Sequence, residues 1–167
     1  LTVETLRAAK FNWDAGNWNS ANNSGVTSTI APGTTLNLTS GASKDFSGRI
    51  IDNQGVTNWN GGYLRGGQGS MLINNGTFND LNGSGYTIHN PFGGTFSVEN
   101  NGSFNKVTGN TTTVQVPFTN TGTIRSEAGT LSFTSSFTNT GGTLRAAGGN
   151  FAFSNPGILR NISVCAP

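Results

Sequence analysis

The chain has few charges, few sulfur-containing residues and no long apolar run. Of its 167 residues, 10% are charged, and it contains one Cys, one Met and five Pro. A single cysteine can form no internal disulfide, and no cysteine pair is present to bind a metal ion. A transmembrane helix needs about 18 or more consecutive apolar residues, and a helical bundle is rich in Ala, Leu, Glu and Lys. Neither pattern occurs in the sequence.

The small net charge also argues against a nucleic-acid partner. The formal net charge is +2, so the high isoelectric point reflects two surplus cations among few charges rather than an extended basic surface. Disordered chains combine high net charge with few aromatic residues, whereas 10% of this chain is aromatic and 11 residues are Phe. The composition therefore predicts one folded domain.

Four small residue types dominate what is present. Gly (25), Asn (23), Thr (23) and Ser (16) together make up 87 of the 167 residues. These residues recur in six segments of the form apolar, any, Asn, any, Gly, with typical spacing near twenty residues. The asparagines of the six segments are Asn53, Asn74, Asn100, Asn120, Asn139 and Asn155.

Short alternating apolar runs between these segments are typical of β-strands. Short strands at a period of about twenty residues predict an all-β fold, a right-handed parallel β-helix (β-solenoid) in which each repeat forms one coil. The six asparagines are predicted to stand at corners, to tolerate left-handed backbone angles, and to hydrogen-bond the same Asn in the next coil as a ladder. The Gly two residues later would permit a tight corner. A β-sandwich or open barrel is the alternative fold.

The N-terminal part of the sequence differs from the rest. Residues 1–48 lack the Asn-x-Gly corner, and only Val3 to Lys10 shows a helical pattern of one or two turns. Because the first coil of a solenoid would expose strand edges and an open core, residues 1–48 are predicted to form an N-terminal cap with irregular first coils, and residues 49–167 the regular coils. Gly157 to Pro167 shows no comparable cap, so we expect either a piece of a longer solenoid or end-to-end pairing with another copy, which gives a filament.

The repeats resemble a known group of proteins. The segments IDNQGVTNWNGG at 51–62, INNGTFN at 73–79 and FTNTGTI at 118–124 are similar to the Asn/Gly/Thr-rich right-handed β-helix repeats of bacterial secreted and cell-surface proteins, such as autotransporter passengers and filamentous adhesins. The segments FNWDAGNW at 11–18 and IAPGTTLNL at 30–38 are similar to the part that often opens such helices. The resemblance implies an extracellular location and a structural or adhesive role, with no catalytic residues.

The sequence offers little for catalysis. Asp52 and Glu99 both precede a corner Asn and are expected two coils apart, about 10 Å, on one outer face, which does not suit a pair of glycosidase carboxylates. His89 is the single histidine, and its neighbours favour a strand end. Calcium-binding repeats are absent. We therefore predict no catalytic residues, no metal and no cofactor.

Two sets of residues are candidates for binding. Arg125, Arg145 and Arg160 each lie three residues after a repeat Gly, so stacked coils would align them as a ladder for anionic glycans. Trp59, Tyr63 and Tyr86 are candidates for stacking on sugars.

The favoured function is a non-catalytic extracellular stalk, adhesin segment or head-to-tail fibre subunit. The alternatives are a polysaccharide-binding or polysaccharide-acting module and, from its Thr-x-Thr pairs, an ice-binding protein. Expected partners are further copies of the chain and surface glycans, without nucleic acid or a membrane span.

Overall fold

The chain winds into a parallel β-solenoid of about seven coils, in a computed structural model that describes residues 3–7, 9–21 and 24–159. These described residues form twenty strands, and every strand pair among them is parallel. Most coils contribute three strands, one to each of three faces. No α-helix occurs in the described residues. The predicted all-β solenoid fold is therefore confirmed.

The three faces are named A, B and C, and strands are numbered in chain order. Face A contains β1 (Val3–Leu6), β4 (Val26–Ile30), β7 (Arg49–Asn53), β10 (Ser70–Asn74), β13 (Phe96–Asn100) and β16 (Phe118–Asn120). Face B contains β2 (Lys10–Trp13), β5 (Thr35–Leu38), β8 (Val56–Trp59), β11 (Thr77–Asp80), β14 (Ser103–Lys106), β17 (Thr123–Ser126) and β19 (Thr143–Ala146). Face C contains β3 (Gly16–Asn17), β6 (Lys44–Asp45), β9 (Leu64–Arg65), β12 (Thr87–His89) and β15 (Thr111–Val114).

Two long strands join faces A and C near the C-terminal end. β18 (Thr130–Asn139) pairs with β15 through its first half and with β16 through its second half. β20 (Asn150–Leu159) pairs with β18 along both halves. The corner between faces A and C is therefore continuous strand in these coils, whereas it is a loop in the earlier ones.

Alternation of side chains fills the interior. Strands β7, β10 and β13 bury their first, third and fifth residues and turn the other two outward, as the period of a β-strand requires. The buried positions of successive coils stack: the rings of Phe78 and Phe104 lie parallel, with centroids 4.8 Å apart. Thr57 keeps this register, since it is buried and pairs with Leu36 on one side and Phe78 on the other.

Glycines at the corner between faces A and B allow consecutive coils to approach closely. A Cβ atom added to Gly76 or Gly102 would lie within 3 Å of the carbonyl oxygen of the corner glycine in the preceding coil. That same carbonyl oxygen accepts a backbone hydrogen bond from the next coil, at 2.9 Å for Ser103 N to Gly76 O. Gly55, Gly76, Gly102 and Gly122 do not have a positive φ, whereas Gly141 in the last of these corners has φ 78°. Glycine is therefore needed at the first four positions because a side chain would collide with the backbone of the preceding coil.

The N-terminal segment is part of the solenoid. β1 pairs with β4, β2 with β5 and β3 with β6, so the described residues before position 49 already form two coils. A separate N-terminal cap is not shown. The helical turn expected over Val3 to Lys10 is wrong, because Val3–Leu6 pairs in parallel register with Thr27, Ser28, Thr29 and Ile30. Tertiary pairing overrides a weak local helical pattern here.

Candidate functional site

A ladder of buried asparagines runs along the inner side of face A. The Nδ2 of Asn53 donates to the Oδ1 of Asn74 at 2.7 Å, and the same bond links Asn74 to Asn100, Asn100 to Asn120, and Asn120 to Asn139 at 2.6–2.7 Å. All five side chains are at most 1% exposed. A buried amide costs free energy unless its donors and acceptors are paired, so each rung stabilises its neighbours.

The ladder has a defined first rung. Ile30 precedes Asn53 in register, and the Oδ1 of Asn53 is buried without a hydrogen-bond partner. At the other end, Asn155 pairs in register with Ser136 rather than with Asn139, and its side chain is exposed. Asn155 is therefore not a rung, which corrects the prediction, because the chain between Phe133 and Asn139 shifts register against β20.

The asparagines of the ladder are strand ends with ordinary backbone. Asn53, Asn74, Asn100, Asn120 and Asn139 are the last residues of their strands. Among the described non-glycine residues, only Ser40 and Gln68 have a positive φ. The predicted tolerance of left-handed angles is therefore not what selects Asn. The amide group itself is selected, since it both donates and accepts along the axis.

A second asparagine ladder, which was not predicted from the sequence, lies on the outer side of face B. Each Nδ2 donates to the Oδ1 of the preceding coil at 3.0 Å. Its members are Asn12, Asn37, Asn58, Asn79 and Asn105. A signal was present: an Asn lies five residues after each of Asn53, Asn74 and Asn100.

The predicted arginine column continues this outer ladder. Arg125 pairs in register with Asn105 and with Arg145, so two arginines occupy consecutive rungs. The Nε of Arg125 lies 3.3 Å from the Oε1 of Glu127, and both side chains are more than one third exposed. Arg160 lies outside the described residues. Register therefore places Arg125 and Arg145 together, with one of the two charges balanced by a neighbouring carboxylate.

The three predicted aromatic residues separate into one core residue and one pair. Trp59 is fully buried and its Nε1 donates to the carbonyl of Gly62 at 2.8 Å, so it has no surface to offer a sugar. Tyr63 and Tyr86 meet edge to face, with ring centroids 5.3 Å apart. Tyr63 is 43% exposed and is the exposed large hydrophobic side chain among the described residues.

An open cleft on face C adjoins this tyrosine pair. Its volume is about 350 Å³, and Tyr63, Arg65, Thr87, His89 and Gln115 line it. Tyr63 packs edge to face on His89 at 5.6 Å. The cleft therefore combines an exposed aromatic ring with hydroxyl, amide, imidazole and guanidinium groups on three consecutive coils.

The charges in this cleft are balanced. The Nε of Arg65 donates to the Oδ1 of Asp45 at 2.6 Å and its Nη2 to the Oδ2 at 2.7 Å, and this contact raises the pKa of Arg65. Burial, together with the charge of Arg65, lowers the pKa of His89, and His89 Nε2 has no hydrogen-bond partner. A neutral imidazole beside a neutralised guanidinium suits an uncharged polar ligand better than a strongly charged one.

The carboxylates considered for catalysis lie apart. Asp52 and Glu99 both pair in register with Ile73, so one coil separates them as expected. Asp52 accepts hydrogen bonds from Gln54 and Asn75, each at 2.7 Å.

Buried charges in the core were not foreseen. Lys44 and Lys106 are fully buried, and so is Asp80. The Nζ of Lys44 donates to the carbonyl oxygens of Thr39, Ser40, Ala42 and Gly61, and burial lowers the pKa of this ammonium. Lys44 thereby ties the loop after β5 to the loop after β8. The sequence did not indicate that Lys44 is buried, because a lysine among polar loop residues is normally expected to be exposed to solvent.

Neither a metal-binding cluster nor a membrane-spanning helix is found in the described part of the chain. Among the described residues, no group of three or more His, Cys, Asp or Glu side chains is placed to hold a metal ion, and no helix is long and apolar enough to cross a membrane. Comparisons with protein-family models, with curated proteins and with solved structures found no match.

Proposed function

We propose that this chain belongs to a non-catalytic, extracellular β-solenoid that serves as a rigid stalk, adhesin segment or fibre subunit. The interior asparagine ladder is the observation that carries the proposal. It connects five consecutive coils through buried side-chain hydrogen bonds directed along the axis, in addition to the backbone bonds between coils. A load applied along the axis is therefore shared between backbone and side chains at each rung.

The first coil presents a surface on which a second copy could stack. In the part of the chain that the structure describes, β1, β2 and β3 each have a strand neighbour on one side only. Leu6, Phe11, Trp13 and Trp18 line an apolar cleft of about 390 Å³ at this end. Unpaired strand edges beside apolar surface favour pairing with another chain, and head-to-tail pairing produces an open filament.

Electron microscopy over a range of concentrations tests the fibre arrangement. We expect rods that lengthen with concentration in units of one solenoid, and shorter rods for Phe11→Asp, which places a charge in the end cleft. Phe92→Asp, on the side of the solenoid, is the matched control and should leave rod length unchanged. Particles of one solenoid length at every concentration would contradict the fibre arrangement.

Location is tested on intact cells of the source organism. A protease added outside the cells should remove the protein, while a cytoplasmic enzyme in the same sample survives. Survival of the protein under these conditions would contradict an extracellular role.

The cleft beside Tyr63 supports a second candidate function, binding of a neutral polysaccharide. Aromatic rings with nearby polar groups suit the apolar faces and hydroxyls of sugars. Affinity electrophoresis in gels containing xylan, mannan or polygalacturonate tests it. Retardation by a neutral polysaccharide that Tyr63→Ala abolishes and Tyr63→Phe keeps would support the cleft. Retardation by polygalacturonate alone, lost in Arg145→Ala, would assign binding to the arginine column instead. No retardation in any gel would reject both.

A further inference from the structure

Asp80 and Lys106 form an enclosed pair in the middle of the solenoid. They are register partners in the adjacent strands β11 and β14, and both side chains point inward. Both side chains are 0% exposed, and the Nζ of Lys106 lies 3.8 Å from the Oδ2 of Asp80. Trp59 occupies the same column one coil earlier and Ser126 one coil later, both buried. Two unlike charged groups thus replace core residues at two neighbouring rungs.

The pair does not make the direct hydrogen bond that a buried ion pair needs. Lys106 instead donates to the carbonyl oxygen of Thr108 at 2.6 Å and to its hydroxyl at 2.9 Å. Removing two charges from water is costly, and only close geometry repays that cost. At 3.8 Å the two groups are too far apart for the attraction of an ion pair to offset the cost of burying both charges. The site nevertheless brings an amine close to a carboxyl group.

The carboxyl group is held on both oxygens by hydrogen-bond donors. The backbone N–H of Asn82 donates to the Oδ1 at 3.2 Å, and the side-chain Nδ2 of Asn82 donates to the same oxygen. The hydroxyl of Thr112 donates to the Oδ2 at 2.5 Å. Asn82 and Thr112 are themselves fully buried. Two N–H groups on one oxygen match the arrangement that stabilises the negative oxygen of a tetrahedral acyl intermediate.

We propose that Lys106 and Asp80 form an intramolecular isopeptide bond that links the fourth and fifth coils. The lone pair of Nζ attacks Cγ of Asp80, and the carbonyl electrons move to Oδ1, where the two N–H groups of Asn82 bind them. One proton passes from Nζ to Oδ2, the Cγ–Oδ2 bond breaks, and water leaves. The product is an Nζ–Cγ amide, and no oxidant, metal or other reactant is consumed.

The surroundings favour the species that react. Burial raises the pKa of Asp80 and lowers the pKa of Lys106, so a neutral acid and a neutral amine are favoured over the charged pair. A neutral amine is the nucleophilic form of lysine. Thr112 stabilises the oxygen that departs. The amide that results cannot ionise, so the site no longer holds two groups whose charged forms are costly to bury.

Mass spectrometry of the purified, folded chain tests the proposal without any variant. We expect the denatured protein to be lighter than its sequence by the mass of one water molecule. Trypsin should fail to cleave after Lys106, so residues 66–125 should appear as one peptide that carries the loss, in place of 66–106 and 107–125. Lys44, also buried but surrounded by carbonyl oxygens, is the internal control, and trypsin should cleave after it.

Variants locate the bond. Lys106→Arg and Asp80→Ala should each restore the full mass, whereas Lys44→Met should keep the deficit. A wild-type chain of full mass that trypsin cleaves after Lys106 would overturn the proposal. The loss of one water with Lys106 still cleavable, as from a succinimide at Asp80, would overturn it as well. The loss of ammonia with a link from Lys106 to Asn82 would overturn the assignment of Asp80 as the acyl partner. The outcome is independent of the proposed stalk function.

Discussion

The first two coils and the five that follow have the same backbone arrangement but are stabilised by different side chains. From residue 49 onward, the interior repeats the same amide at the same rung, with a glycine corner beside it. Before residue 49, Leu6 and Ile30 occupy the register of the amide ladder. Parallel pairing therefore does not require the ladder, since the first coils form without it.

Contacts that occur once replace the ladder in the first coils. Arg49 donates to Glu4 at 2.7 Å across two coils, and its guanidinium carbon lies 5.3 Å from the centre of the Trp18 ring. Trp13 meets Trp18 edge to face at 5.4 Å. Such contacts stabilise a coil as individual pairs, whereas a ladder couples each rung to both neighbours. The two regions should consequently respond differently to single substitutions.

Among substitutions that remove a ladder or corner contact, the largest effect is expected at the centre of the ladder. Asn100→Ala removes a rung and leaves the Nδ2 of Asn74 and the Oδ1 of Asn120 with fewer partners. Each buried polar group left unpaired costs about 1–3 kcal/mol, so the free energy of unfolding should fall by about 3 kcal/mol. Urea denaturation measures it. Asn105→Ala, in the outer ladder, is the matched control and should cost less than about 1 kcal/mol. Equal losses would contradict the special role of the interior ladder.

A smaller effect is expected at the glycine corner. Gly102→Ala brings a Cβ atom against the carbonyl oxygen of Gly76, so the two coils must separate locally, at a cost of about 2 kcal/mol. Gly109→Ala is the control, because a Cβ atom there meets nothing within 4 Å, and it should change stability by less than about 0.5 kcal/mol. Thermal and urea unfolding of both variants decide whether close coil spacing depends on this glycine.

The difference between the regions also explains what the sequence could predict. The Asn-x-Gly segments led to the solenoid, to the register of five coils and to the side-chain ladder, because these features repeat. Residues 1–48 were interpreted as a cap with irregular first coils because they lack the Asn-x-Gly corner, although Val3–Leu6 pairs in parallel register with β4. The outer ladder does reach the first two coils through Asn12 and Asn37. Their interior lacks the repeated amide, so the Asn-x-Gly pattern that reveals the later coils did not reveal these two.

The candidate sites were predicted less well, for a related reason. Register placed Arg125 beside Arg145, and composition suggested Tyr63 and Tyr86 without indicating that they meet. Trp59 was wrongly considered for the surface, because its inward direction follows from strand phase rather than from residue type. The Asp80 and Lys106 pair consists of two residues that depart from the repeat at neighbouring rungs, 26 residues apart in the chain. Only the aligned coils bring them together.

A further prediction asks whether the interior ladder can be extended by one rung, from Asn53 into the second coil. The Oδ1 of Asn53 is buried without a partner, and Ile30 precedes it in register. Ile30→Asn supplies a donor at that place, so it should cost only about 1 kcal/mol, the new hydrogen bond offsetting much of the lost apolar burial. Ile124→Asn, equally buried but outside the ladder, is the control and should cost about 4 kcal/mol. Equal costs in urea denaturation would show that the first two coils cannot accept a rung.

The smallest effect concerns pH and belongs to the first coils alone. The hydrogen bond from Arg49 lowers the pKa of Glu4 below its usual 4.5, so the folded chain binds this proton less readily than the unfolded chain. Stability from this contact is therefore present above pH 4.5 and is lost as pH falls through the lower folded pKa. Because the Glu4 side chain is 47% exposed, the loss should stay below about 1 kcal/mol. The free energy of unfolding should therefore depend less on pH, between about pH 3 and 6, in Glu4→Gln than in the unmodified chain. Arg49→Met should reduce the pH dependence by the same amount. A pH dependence that neither variant alters would show that Arg49 orders the first coils through packing on Trp18 rather than through its charge.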